Sequence, residues 1–281
     1  MLNKSHHQIP GNSGRPISLD LRFNPNQSAA PVVLFLHGFK GFKDWGHFNL
    51  LADRWAAMGM TVVKLNFSHN GTTPENPSDF ADLEAFGQNH FGRELDDVER
   101  VIDWLASTEG PLAIGDERPL GLVGHSRGGA IAVLHAARDN RVKALATWAA
   151  VADLHAWMHR FPVAEWQEKG VIYIPNARTR QQMPLNLDFY KDYMAHTEEY
   201  SVEEAARKLK VPHLIVHGDA DEAVPVAAGH QLAAWSPKAS YLEVEGGGHT
   251  FGAGHPPTDI IPQPALHVVQ ETGNFFLENL I

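Results

Sequence analysis

Leu120-Gly121-Leu122-Val123-Gly124-His125-Ser126-Arg127-Gly128-Gly129 is an apolar strand that runs into a small-residue turn and then into helix-forming sequence. The segment Gly124–Gly128 has the pattern G-x-S-x-G in the strand–turn–helix context that gives this pattern chemical meaning. A serine hydroxyl is a weak nucleophile at its own pKa, so it must be held clear of its backbone and beside a base. A tight turn between strand and helix does both. Gly124 and Gly128 flank Ser126 where a larger side chain would crowd the turn, and Gly129 lets the helix pack close to the strand. Ser126 is therefore the candidate nucleophile.

Outward from this turn the chain alternates strands and helices. Ile17, Leu19, Leu21 and Phe23 alternate with polar residues, which predicts a strand at an antiparallel edge. Val32–Leu36 is continuously apolar, as a strand covered on both faces must be. Phe48, Leu51, Trp55 and Met58 predict a helix that ends at Gly59, and Met60–Phe67 a further strand. A long polar loop is expected from Ser68 to about Phe91. Leu95, Val98, Ile102 and Leu105 stripe the next helix, whose acidic residues Glu94, Asp96, Asp97, Glu99 and Asp103 are expected on a solvated face. Val142–Ala150, Leu214–Val216 and Tyr241–Val244 supply more strands, and Leu266, Val269, Gly273, Phe276 and Leu280 mark a C-terminal helix. Repeated βα units of this kind predict an α/β fold with a mostly parallel central sheet flanked by helices. The rhythm breaks from Ala152 to about Lys210, where aromatic, irregular sequence predicts an insertion, or cap, in one domain spanning residues 1–281. Ser201 and Glu204 form a capping-box pattern for a short helix near its end.

Composition narrows the classes of partner. The 281 residues include 23 Lys and Arg against 33 Asp and Glu, a net charge of −10 that works against nucleic acid and against an anionic membrane surface. A neutral or small-molecule substrate is expected instead. No cysteine is present, so no disulfide or thiolate chemistry is available. The N-terminal ten residues contain no apolar run of signal-peptide length, which with the missing cysteines predicts a cytoplasmic protein. Neither G-x-G-x-x-G nor a P-loop occurs, so no nucleotide is implied, and no cofactor is expected. His155 and His159 have a zinc-compatible spacing but lack H-E-x-x-H and a third ligand, so no metal is expected. His69, in the Pro/Gly-rich loop, is expected to be solvated.

In a mostly parallel sheet the loops at the carboxyl ends of the strands meet along one edge. They carry His37-Gly38-Phe39, Ser126, an aspartate in His217-Gly218-Asp219-Ala220-Asp221, and His249 after Gly246-Gly247-Gly248. Asp219 and Asp221 both suit the acid, with Asp153 a third choice, and His255 and His267 stand in reserve for His249. The order serine, acid, histidine is that of α/β-hydrolase chemistry. With these motifs, and with Val224-Pro225 after the acid, the chain resembles an α/β-hydrolase serine esterase. It is similar to the small dienelactone-hydrolase and prolyl-oligopeptidase-like enzymes that include cinnamoyl and feruloyl esterases.

The resemblance covers nearly the whole chain and selects Asp221, three residues before Val-Pro. It implies that Ser126 attacks, His249 acts as base, Asp221 orients the imidazole, and the backbone N–H groups of Phe39 and Arg127 hold the oxyanion. Arg127 departs from the glutamine or methionine usual after the nucleophile. The implied substrate is an ester of a small or medium acyl group, aromatic acyl groups included. A thioesterase or aminoacyl-peptidase-like amidase is the enzymatic alternative, and a ligand-binding protein without turnover is the alternative of another class. Trp148, Trp157 and Tyr173 are candidates to line the substrate cleft, although large aromatics equally form an insertion's own core.

Overall fold

Continuous apolar runs make the centre of the sheet, because a strand with helices on both faces has no polar side to present. In the computed structural model, which describes every residue except 28, 108, 109, 113 and 116, the chain runs β1 (Asn3–Pro10), β2 (Pro16–Phe23), β3 (Val32–Leu36), α1 (Phe48–Ala57), β4 (Thr61–Asn66), α2 (Leu83–Gln88), α3 (Phe91–Ala106), β5 (Leu120–His125), α4 (Arg127–Ala136) and β6 (Val142–Trp148). It continues through α5 (Leu154–His159), α6 (Val163–Lys169), β7 (Val171–Asn176), β8 (Gln181–Asn186), α7 (Leu187–Ala195) and α8 (Val202–Lys208). It ends with β9 (His213–Gly218), α9 (Ala227–Trp235), β10 (Ala239–Val244) and α10 (Gln263–Leu280).

Eight strands form one sheet in the order β1-β2-β4-β3-β5-β6-β9-β10. β2 is antiparallel to both neighbours, and every pairing from β4 to β10 is parallel. This is the α/β-hydrolase fold. β2 is antiparallel as expected, but it is not the edge. That place belongs to β1, which pairs with β2 from Asn3 opposite Phe23 to Pro10 opposite Pro16. The side chains of β1 are mostly exposed, so no apolar alternation announces the strand.

One face of the sheet is covered by α1 and α10, where the Trp55 indole N–H donates to the Val269 carbonyl at 2.8 Å. The other face carries α3, α4, α8 and α9. Ser201 caps α8 by accepting the Glu204 N–H, as the capping pattern predicts. Residues 68–91 are not all loop, since Asp82 caps the short α2 within them.

Two acidic residues expected in solvent on α3 are buried instead. Glu94 and Asp97 are each 1% exposed and lie on the side that packs into the protein. Asp97 accepts the Ser68 N–H at 2.7 Å, but burial outweighs that bond and pushes its carboxyl up to about 7. An acid whose folded pKa is raised keeps its proton in the native state while the unfolded chain loses it. Stability therefore falls as pH rises from about 4 to about 7 and this contribution levels off above. Asp97→Asn should remove that dependence, so the variant gains on the wild type in urea midpoint between pH 5 and pH 8. Parallel midpoints across that range would contradict the assignment.

Between β6 and β9 lie four helices and the antiparallel β7–β8 hairpin. Trp157, Phe161, Trp166, Phe189, Tyr193 and Tyr200 from this segment are buried together, with Phe91 of α3 edge-on against Phe189 at 4.8 Å. These aromatics are the segment's core.

Candidate active site

β5 ends at His125, and the chain turns at Ser126 with φ +56° and ψ −122°, a conformation rarely tolerated by a residue with a Cβ. Neighbouring backbone holds it there. The Ser126 N–H donates to the Trp148 carbonyl at 2.8 Å, and its own carbonyl accepts from Gly129 at 3.0 Å and Val151 at 3.2 Å. The flanking glycines are required by space. A Cβ on Gly124 would stand 2.2 Å from the Gly128 carbonyl oxygen, and one on Gly128 would stand 2.4 Å from that of His37.

Three strand ends bring three side chains into line. His249 Nε2 lies 2.9 Å from Ser126 Oγ, and His249 Nδ1 lies 2.8 Å from Asp221 Oδ2. Asp221 Oδ1 accepts the N–H groups of Ala223 and Val224 at 2.8 and 2.9 Å. Burial alone would raise the Asp221 carboxyl. Hydrogen bonds from His217, His249 and the Val224 N–H outweigh it and hold the group well below the usual carboxylate range. An ionised Asp221 makes Nδ1 of His249 the donor, which leaves Nε2 free to accept from the serine hydroxyl.

Two further histidines, His125 inside the turn motif and His37 inside the His37-Gly38-Phe39 motif, fix the surrounding loops. Burial lowers His125 to about 3, so it is neutral, and its Nε2–H donates to the His249 carbonyl at 2.8 Å. Burial likewise lowers His37 to about 4. Its Nδ1–H donates to the Gly38 carbonyl at 2.9 Å while Nε2 accepts from Asn70 at 3.3 Å. The His37-Gly38-Phe39 loop is thereby pressed against the turn, since a Cβ on Gly38 would stand 2.9 Å from that of Ser126. Among the described residues, neither the Phe39 nor the Arg127 N–H donates to a protein acceptor. The Arg127 side chain is buried in an ion pair with Glu94, and its guanidinium lies 4.7 Å from the centroid of the Phe39 ring. Asn89 also donates to Glu94 Oε1, at 2.9 Å. No sequence pattern marks Glu94 or Asn70, because their partners Arg127 and His37 lie 33 residues away, and Asn89 acts only through Glu94.

Ser126 and His249 open into a cavity of about 340 Å³ bounded by Phe39, Trp45, Phe48 and His255. Trp148, Trp157 and Tyr173 do not line it. Trp148 is 3% exposed, donates to Thr272 Oγ1, and faces a narrow apolar pocket that shares Trp45, Phe48 and His125 with the cavity. Trp157 is buried edge-on against Phe39, and Tyr173 is 59% exposed on β7. Among the other candidates, Asp219 accepts the Gly246 N–H, Asp153 caps α5, and His267 is exposed on α10. His69 is buried against Ser68 and Arg93, not solvated. His155 and His159 bond to the Tyr193 hydroxyl and the His155 carbonyl.

The model of the alpha/beta hydrolase family matches residues 33–262, and the chain belongs to that family. A monoacylglycerol lipase from Mycolicibacterium smegmatis is 25% identical over 250 residues, covering 82% of this chain and 83% of that protein. Among solved structures, Est1E from Butyrivibrio proteoclasticus with ferulic acid bound superposes with a TM-score of 0.70 at 18% identity, covering 98% of each chain. A dienelactone hydrolase from Anabaena variabilis gives a TM-score of 0.66 at 16% identity, covering 99% of each. No described helix is long and apolar enough to cross a membrane.

Proposed function

We propose that the protein is a serine hydrolase that cleaves carboxylic esters of small or medium acyl groups through an acyl-enzyme. The observation that carries this reading is the unbroken hydrogen-bond chain from Ser126 through His249 to Asp221. His249 takes the hydroxyl proton as Ser126 Oγ attacks the ester carbonyl, and Asp221 stabilises the imidazolium that forms. The imidazolium then returns the proton to the departing alkoxide, and a water activated by the same histidine cleaves the acyl-enzyme. Charge on the carbonyl oxygen is met by the backbone N–H groups of Phe39 and Arg127, each such donor being worth about 3 kcal/mol in the transition state. The adjoining apolar pocket, with Phe48 and Phe251 in its walls, suits the hydrocarbon part of the substrate.

A neutral fluorophosphonate should label the protein at Ser126 with one-to-one stoichiometry, and labelling should vanish in His249→Ala. A folded protein that resists the reagent and turns over no member of a panel of aryl and alkyl esters is not an ester hydrolase.

A further inference from the structure

The cavity above Ser126 has a charge opposite to that of the protein as a whole. The chain carries ten more acidic than basic side chains, yet Lys40 and Arg178 line the cavity and no carboxylate does. Among the described residues, neither cation has an ion-pair partner. Arg178 projects from the β7–β8 turn and lies on the faces of Phe42 and Phe80, with 5.3 and 5.6 Å from its guanidinium carbon to the ring centroids. Stacking of this kind fixes the guanidinium plane without consuming its N–H donors. Lys40 donates to the Pro175 carbonyl at 3.2 Å, which ties the hairpin to the Ser126 side of the cavity and leaves two ammonium protons free.

Asn176 supplies a third, independent sign. It is 7% exposed and lines the same cavity. Its Oδ1 accepts the Arg178 N–H at 3.2 Å, while its Nδ2 is buried with no hydrogen-bond partner among the described residues. A buried amide donor left unsatisfied is destabilising, so such a group in a cavity wall points to an acceptor that arrives with a ligand. The surroundings add no competing carboxylate. Burial and the neighbouring Arg160 both lower Lys40, and Asp44, the carboxylate that acts on His255, is already held by Lys43 and Lys64.

We propose that the ester cleaved at Ser126 carries a carboxylate away from its scissile bond, held by Arg178, Lys40 and the Asn176 amide at the rim of the cavity. With Asn176 Oδ1 already accepting the Arg178 backbone N–H, the three groups present N–H donors to the cavity, and a planar carboxylate can take two parallel N–H bonds from the guanidinium and further bonds from the ammonium and amide. The substrate would thus present an apolar portion towards Trp45 and Phe48 and an anionic end beneath the hairpin. This rests on the ester-hydrolase reading above.

Two pairs of esters matched in size separate the charge from the shape. Mono-4-nitrophenyl adipate is compared with 4-nitrophenyl hexanoate for a carboxylate on the acyl side, and 4-acetoxybenzoate with methyl 4-acetoxybenzoate for one on the alcohol side. In at least one pair the anionic ester should have the higher kcat/KM, by about tenfold or more, as charge-assisted hydrogen bonds provide. That preference should shrink severalfold in 0.5 M NaCl and fall about tenfold in Arg178→Gln and in Lys40→Gln, with Arg178→Lys keeping part of it. Neutral esters cleaved as well as anionic ones in both pairs, or a preference unmoved by salt and by both substitutions, overturns the proposal. Fluorophosphonate labelling of Ser126 is read in parallel. Labelling without an anionic preference defeats this inference alone, whereas no labelling and no turnover defeats the hydrolase reading beneath it.

Discussion

Alanine at position 126 is expected to lower kcat for a good ester substrate by roughly 10⁶-fold, the loss seen when a serine nucleophile is removed from an intact site. The residual rate should stay above that of the uncatalysed reaction, because the Phe39 and Arg127 N–H groups and the cavity remain. Asp221→Asn is expected to cost about 10⁴-fold. The amide retains the shape but places a donor where His249 Nδ1–H now finds an acceptor 2.8 Å away. The imidazole is then driven to the tautomer in which Nε2 carries the proton, and it can no longer accept from Ser126. The double variant should be little worse than Ser126→Ala alone, since residues that act as one unit are not additive. Circular dichroism and urea midpoints check that each variant is folded, and kcat is measured on an aryl acetate. Activity of Ser126→Ala within tenfold of the wild type would show that the chain's ester chemistry does not pass through this serine.

The turn at Ser126 is legible from sequence because its constraints are local. Three glycines within six residues, an apolar strand before them and a helix after them leave few conformations. β3 and the middles of β5, β6 and β9 are legible for a related reason, since burial on both faces leaves a continuous apolar run there. β1 shows the reverse. Its partner β2 supplies the inward-facing Ile17, Leu19 and Leu21, while β1 contributes mainly backbone hydrogen bonds, and those leave no mark on hydropathy.

The cavity wall is illegible for a different reason. Aromatics in residues 152–210 signal burial, and burial does not distinguish a cleft from a core. Trp157 went to the core and Tyr173 to solvent. The residues that reach the cavity from that segment, Asn176 and Arg178, lie in a polar hairpin turn. No periodicity marks such a turn as facing Ser126, fifty residues earlier in the chain.

Removing the Glu94 carboxylate is expected to destabilise the protein by about 3–5 kcal/mol, the cost of leaving one member of a buried ion pair without its partner. Glu94 and Arg127 are 2% and 4% exposed at their side chains, and one guanidinium nitrogen of Arg127 already lacks a hydrogen bond. In Glu94→Ala the cation would face only Phe39, Trp157 and Phe189, with centroids 4.7 to 5.7 Å away. Ring quadrupoles offset part of a charge's desolvation, at about 2 kcal/mol for a desolvated pair, and cannot replace a carboxylate. Asn89 would also lose the acceptor for its amide. The acidic run on α3 hides this role, because the residue that Glu94 neutralises sits 33 positions later, directly after Ser126. Glu94→Leu combined with Arg127→Met should recover most of the loss, since an apolar pair of similar volume leaves no charge to solvate. Urea unfolding of the two single variants and the double variant gives the coupling energy. A loss below about 1 kcal/mol in Glu94→Ala would mean that water or a rearranged side chain reaches Arg127, and that the pair is not a closed, dry contact.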